Sequence, residues 1–274
     1  MRAGRGILPF RLVRENDYYE FKPVMMKRNR YLIIFGIIVF FWSCAESDLR
    51  LEEEQLVISE LNLLAGKLKV SDLLVENSPE GWKSATATIL DNGIGNRLLE
   101  FVYALSPNKP FVHFEVILDK DGNPEMSYIG MNYGERGKIG YTQVALINEY
   151  KDELLFHEFF HVFQYAGKEP ALNRSDELEA YLAQYFYASS REYSAWVIDK
   201  KFTERIMELA SYIDASTGYL RKGVDYEEFY NVYTSALDYL DGHPNYSGDG
   251  WTSGRVEAGL YPFQKLAKLL NQNL

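Results

Sequence analysis

The chain has 274 residues, 47% hydrophobic and 25% charged, which excludes a disordered or fibrous protein and is enough to bury one sizeable core. Its formal charge of −10 argues against nucleic acid as a partner, and a single cysteine excludes an internal disulfide framework.

In chain order, the first feature is "MMKRNRYLIIFGIIVFFWSC" at 25–44. A basic start at Lys27, Arg28 and Arg30 is followed by an apolar run from Tyr31 to Trp42. This is the layout of a secretory signal peptide, and the run is shorter than the roughly 18–20 residues a membrane-spanning helix needs. Because signals begin chains, Met25 or Met26 is the expected initiator and 1–24 an upstream extension. Ser43, then Cys44, then the polar Ala45, Glu46 and Ser47 resemble the lipobox of bacterial lipoproteins. The resemblance implies that Cys44 is lipidated after cleavage and holds a soluble domain to a membrane of the cell envelope, outside the cytoplasm. Residues 1–44 hold eight of the 29 Lys and Arg and three of the 39 Asp and Glu, so 21 basic and 36 acidic residues remain, a charge of −15. Such a domain does not attract anionic lipid headgroups, which leaves the anchoring to the lipid.

Residues 45–56, "AESDLRLEEEQL", read as a tether running into a helix near 50–65, with one domain following over 57–274. From 85 to 147 the pattern predicts strands: "RLLEFVYAL", "FVHFEVIL", "EMSYIGMNY" and "IGYTQVALI" are rich in aromatic and branched residues and separated by turn signals at 106–110, 121–124 and 134–137. "NGIGN" at 92–96 reads as a turn. After Asn148 the periodicity predicts helices at 149–166, 175–190, 191–214, 226–241 and 261–272. Polar linkers lie at 166–176 and 241–254. The expectation is an α+β fold, a small and mainly antiparallel sheet (85–147) followed by a helical half (149–274).

The stretch that carries chemistry is "HEFFH" at 157–161. Residues four apart on a helix lie one above the other, so His157 and His161 can aim two imidazole nitrogens at one point. Neutral imidazole suits Zn2+, which needs one more protein ligand if its fourth position is to remain open. Glu158 lies about 100° round the helix, placed to act as general base on a water at the metal without ligating it. The flanking Leu154, Leu155, Phe159, Val162 and Phe163 make the helix apolar nearly all round. Two buried histidines without partners would be costly, although a hydrogen-bonded core pair is the plain alternative.

A dozen residues on, "NRSDELEAYLAQ" opens a helix with Ser175 or Asp176 as N-cap and with Glu177 and Glu179 in its first turns. HExxH followed by a glutamate on the next helix resembles the gluzincin branch of zincin metallopeptidases. There that glutamate completes the zinc site, and a small residue three positions later permits close helix contact. Ala180 stands at that distance from Glu177, which makes Glu177 the favoured third ligand and Glu179 the alternative. Tyr181 stands where the family often has a supporting aspartate. The continuation "VFQYAG" after His161 lacks the glycine and third histidine of metzincins. His243, in a glycine-rich loop, is a less favoured ligand, and His113 reads as a sheet residue on a polar or pocket face. The resemblance further implies that the strand before the helix, here 140–147, is a sheet edge for an extended substrate and that a tyrosine stabilises the oxyanion, one that 21 tyrosines leave unidentified.

These features predict a lipid-anchored zinc metallohydrolase acting on peptide or protein, with Zn2+ on His157, His161 and Glu177 and Glu158 as base. The alternative is a non-catalytic surface lipoprotein whose tyrosine-rich "AYLAQYFYASSREYSAW" binds peptide or glycan. The two differ in that only the enzyme needs Glu158.

Overall fold

A computed structural model describes residues 68–104, 112–117, 126–130, 137–165, 171–189 and 199–271. Met25, Met26, Cys44, the tether at 45–56 and the helix expected near 50–65 lie outside the described residues. Three helices come first, α1 (Val70–Leu73), α2 (Glu80–Leu90) and α3 (Gly93–Ala104), followed by β1 (Val112–Val116), β2 (Met126–Gly130) and β3 (Gly137–Tyr141). Then come α4 (Gln143–Ile147), α5 (Lys151–Tyr165), α6 (Arg174–Ala188), α7 (Lys200–Tyr212), α8 (Tyr226–Asp241), a 3-10 turn (Pro244–Tyr246) and α9 (Gln264–Leu270). The described residues all fall within the compact unit Glu53–Leu274. The fold is mixed and mostly helical.

Four expectations are corrected. Residues 85–90 and 93–104 are helical, not the start of the sheet, and "NGIGN" opens α3 instead of only turning. The Asn92 side chain accepts from the backbone N–H of Ile94 and Gly95, both at 3.0 Å, and so satisfies two of the donors a helix start leaves open. The Gly95 position has no space for a side chain, since a Cβ would stand 2.3 Å from the Ile89 carbonyl oxygen. That close crossing lets α3 bury Leu98, Leu99, Phe101 and Val102. Their branched and aromatic character reads as strand, but packing against α5 overrides it.

The run expected as a strand to 147 stops at Tyr141, because the Thr142 side chain caps α4 by accepting from Ala145 N–H. The sheet is mixed rather than mainly antiparallel. Its order is β1-β3-β2, with β1 parallel to β3 from Val112↔Gly137 to Val116↔Tyr141 and β2 antiparallel to it from Met126↔Tyr141. The physical reason is burial. β3 carries the fully buried Ile139 and the nearly buried Tyr141 and takes the centre, so the consecutive strands β1 and β2 lie on either side of it and do not pair with each other. The strand expected as a substrate edge therefore has both sides occupied.

Trp82 of α2 stacks on Phe114 (5.6 Å between ring centroids) and meets Tyr141 edge-on (5.3 Å), which seats the helices on the sheet. α5 lies at the centre, touching α2, α3, α6 and β2, and is buried without interruption from Asp152 to Phe163. Phe156, Phe159, Phe160 and Phe163 are at most 1% exposed, and burial of each such ring stabilises by about 1.5–3 kcal/mol. On its far side α6 packs against α7, α8 and α9.

Candidate metal centre

The α5 helix carries His157 and His161 one turn apart, and α6 meets it with its first turn. The cap of α6 is Asn173, whose side chain accepts from Ser175 N–H at 2.9 Å, two or three residues earlier than the Ser175 or Asp176 expected. Glu177 thus falls in the first turn of α6. Ala180 and Ala183 are fully buried and let the two helices approach.

The result is a convergence of three ligand-type side chains. His157 Nε2 and His161 Nε2 are 3.0 Å apart. The Glu177 carboxylate lies 3.5 Å from His157 Nε2 and 3.4 Å from His161 Nε2. A tetrahedral ion with bonds of about 2.0–2.1 Å separates its ligands by about 3.3 Å, so the spacing fits one metal ion. Among the described residues this is the group of histidine, cysteine and carboxylate side chains that can hold a metal. Both histidines are buried, whereas the Glu177 side chain keeps 18% exposure, so the group opens towards solvent at Glu177.

The other ring nitrogens decide the chemistry. His157 Nδ1 donates to Gln184 Oε1 at 3.2 Å and His161 Nδ1 to Gln164 Oε1 at 2.8 Å. An amide oxygen only accepts, so each Nδ1 bears the hydrogen and each neutral ring turns a lone pair at Nε2 towards the shared point. Two lone pairs 3.0 Å apart beside a carboxylate call for a positive charge between them. In the metal-free chain His161 supplies it: burial lowers its pKa, but the charge and hydrogen bond of Glu177 outweigh this and raise it to about 9. Burial likewise works against the Glu177 carboxylate, yet the His161 charge and the hydrogen bonds from both histidines hold it well below the usual range.

Glu158 is buried at 5% exposure and its charge acts on His161, Tyr181 and Tyr246, which puts it in the same electrostatic neighbourhood. Tyr181 lies against His157 with 4.5 Å between ring centroids and its hydroxyl pairs with that of Tyr246 at 2.7 Å. Burial foremost, then neighbouring negative charge, keeps both phenols protonated far above the ordinary tyrosine range. Tyr246 belongs to the 3-10 turn, held by Arg174: Nε donates to the Tyr246 carbonyl at 2.8 Å while the same guanidinium meets Asp241 at 2.8 Å.

The structure brings Glu177, not Glu179, to the histidines. Glu179 faces α9, where its Oε1 accepts from Lys265 N–H at 2.8 Å and Leu266 N–H at 2.9 Å. His243 caps the 3-10 turn through Asn245 N–H and is not one of the converging ligands. His113 sits in β1 opposite Lys138; the position of its side chain is outside the described residues. Sequence reasoning missed Gln164, Gln184 and Tyr246. Gln164, three residues after His161 on one helix face, carried a legible signal; Tyr246, which arrives from a loop, carried none.

The chain matches no family model, no curated protein and no solved structure. Among the described residues no helix is long and apolar enough to cross a membrane. A cavity of about 460 Å3 lined by Asn92, Arg97 and Tyr187 among others lies roughly 15 Å along α6 from Glu177, so it is separate from the metal group.

Proposed function

We propose that the protein is a zinc-dependent hydrolase, with peptides or proteins as its substrates, that uses the gluzincin scheme of ligands. His157, His161 and Glu177 hold the ion, and two imidazoles with one carboxylate suit zinc. The observation that carries the reading is the pair of Nε2 atoms 3.0 Å apart facing one partly buried carboxylate, with both Nδ1 atoms engaged by amide oxygens. A bound zinc supplies a Lewis acid there, polarising a carbonyl and lowering the pKa of water. Glu158 takes the proton from the attacking water and passes it to the leaving amine. Tyr246 and Tyr181, kept protonated, offer a hydroxyl hydrogen to the oxygen on which charge develops. The solvent-facing side at Glu177 is the way in. Lipidation of Cys44 holds this domain at the cell envelope.

The test is elemental mass spectrometry on the purified full chain, followed by a peptide-library cleavage assay. About one zinc per chain is expected, lost in His161→Ala. Glu158→Gln should keep its zinc and lose about 10²–10⁴-fold in turnover. Unchanged turnover in that variant would sink the mechanism and leave a metal-binding surface protein.

A further inference from the structure

We propose that Glu179 is a positioning residue: through Gln164 it sets which ring nitrogen of His161 faces the metal, and it ties that setting to the start of α9. This rests on the metal-centre reading above. Glu179 follows Glu177 by two residues, about 200° round α6, so it points away from the metal while Glu177 points at it.

The chain of contacts has one direction. Both Glu179 oxygens accept, Oε1 from Lys265 N–H and Leu266 N–H and Oε2 from Gln164 Nε2 at 3.0 Å. The Gln164 amide nitrogen also donates to the Asp176 carbonyl at 2.9 Å. With its nitrogen so engaged, Gln164 can offer only its oxygen to His161 Nδ1, 2.8 Å away. Nδ1 must then carry the hydrogen, leaving the Nε2 lone pair for the metal. Glu179 is itself only 5% exposed and held by two backbone donors, so it cannot swing aside to relax the arrangement.

An amide in place of this carboxylate reverses the order. In Glu179→Gln the amide oxygen still serves the two backbone N–H groups, but the amide nitrogen confronts that of Gln164. Turning the Gln164 amide over relieves this while setting the Gln164 oxygen against the Asp176 carbonyl; it presents a donor to Nδ1 and moves the imidazole hydrogen to Nε2, where it blocks ligation. A supporting group one step behind a histidine ligand typically changes metal affinity by about 10–100-fold.

The experiment measures zinc affinity of the full chain by competition with a chromogenic chelator, with circular dichroism reporting the fold. Glu179→Gln should bind zinc about 10–100-fold more weakly. Combining it with Gln164→Glu restores an acceptor against Nδ1 and lets the amide at 179 donate to the carboxylate at 164, while the donor to the Asp176 carbonyl is lost, so part of the lost affinity should return. A bulk structural role for Glu179 would not produce that recovery. Gln164→Met leaves the contacts of Glu179 with α9 in place, removes the acceptor at Nδ1 together with the donor to Glu179 and Asp176, and should weaken zinc similarly; it is the deciding variant if Glu179→Gln does not fold. Wild-type affinity in folded Glu179→Gln or in Gln164→Met, or a double variant no better than the single, overturns the inference while the metal centre stands. A wild-type chain that takes up no zinc overturns both.

Discussion

A histidine that holds a positive charge at neutral pH beside a second histidine and a carboxylate occupies the electrostatic position of a divalent ion. For His161 this has a measurable consequence. Its pKa is about 6.5 in an unfolded chain and about 9 in the metal-free fold, so between these values the folded state binds more protons. Stability from this group is fully present below about pH 6.5 and is lost as pH rises through about 9. Glu177 acts in the opposite sense, its contribution being present above its unfolded value of 4.5 and lost in acid. Metal-free protein should therefore lose about 1–2 kcal/mol in urea unfolding between pH 7.5 and 9.5. That window lies above the range in which Glu179, pushed up to about 7 by burial against its hydrogen bonds, changes charge. The loss should be absent in His161→Ala and in zinc-loaded protein; an equal loss in His161→Ala would assign it to another group.

At the scale of elements, the position of Glu177 depends on how α6 begins, and that depends on a loop from much later in the chain. Arg174 N–H donates to the Thr252 carbonyl at 3.1 Å and Thr252 N–H to the Leu172 carbonyl at 2.8 Å, laying residues 172–174 beside the segment around 252. Gly254 closes this contact with φ of +57°, and a Cβ there would stand 1.8 Å from Asn173 Oδ1, the atom that caps α6. Gly254→Ala should then cost about 1–2 kcal/mol for the left-handed backbone and about 1 kcal/mol more for the displaced cap, read as a lower urea midpoint. Zinc affinity should fall with it, since Glu177 lies one turn from the cap. A midpoint within about 0.5 kcal/mol of wild type, the range of an ordinary surface change, would show that the loop and α6 are not coupled in this way.

For the whole molecule the proposed reading joins the charge balance to the N-terminal segment: the chain beyond residue 44 carries −15, which does not attract anionic lipid headgroups, and the proposed attachment to a membrane is a lipid at Cys44. Cys44→Ser should abolish incorporation of labelled palmitate in bacterial cells and move the protein out of the membrane fraction. Retention of that variant on membranes without label would place the anchor elsewhere.

Much of the candidate metal site was legible because a helix imposes its own geometry: the four-residue spacing of His157 and His161 and the apolar faces of α5 are local consequences of 3.6 residues per turn. The sequence by itself determined that helix, the nearby glutamates and the acidic surface. Local patterning failed in 85–104, where branched and aromatic residues read as strand although burial against α5 made them a helix, and in the sheet, where β3 took the centre by burial and made the pairing mixed. Choosing Glu177 over Glu179 without analogy required the packing of α6 between α5 and α9, since two residues of offset turn one carboxylate to the histidines and the other to the backbone of α9. The parts Gln164, Gln184 and Tyr246 play were decided only by tertiary structure, because each depends on a group brought near by folding rather than by spacing along the chain.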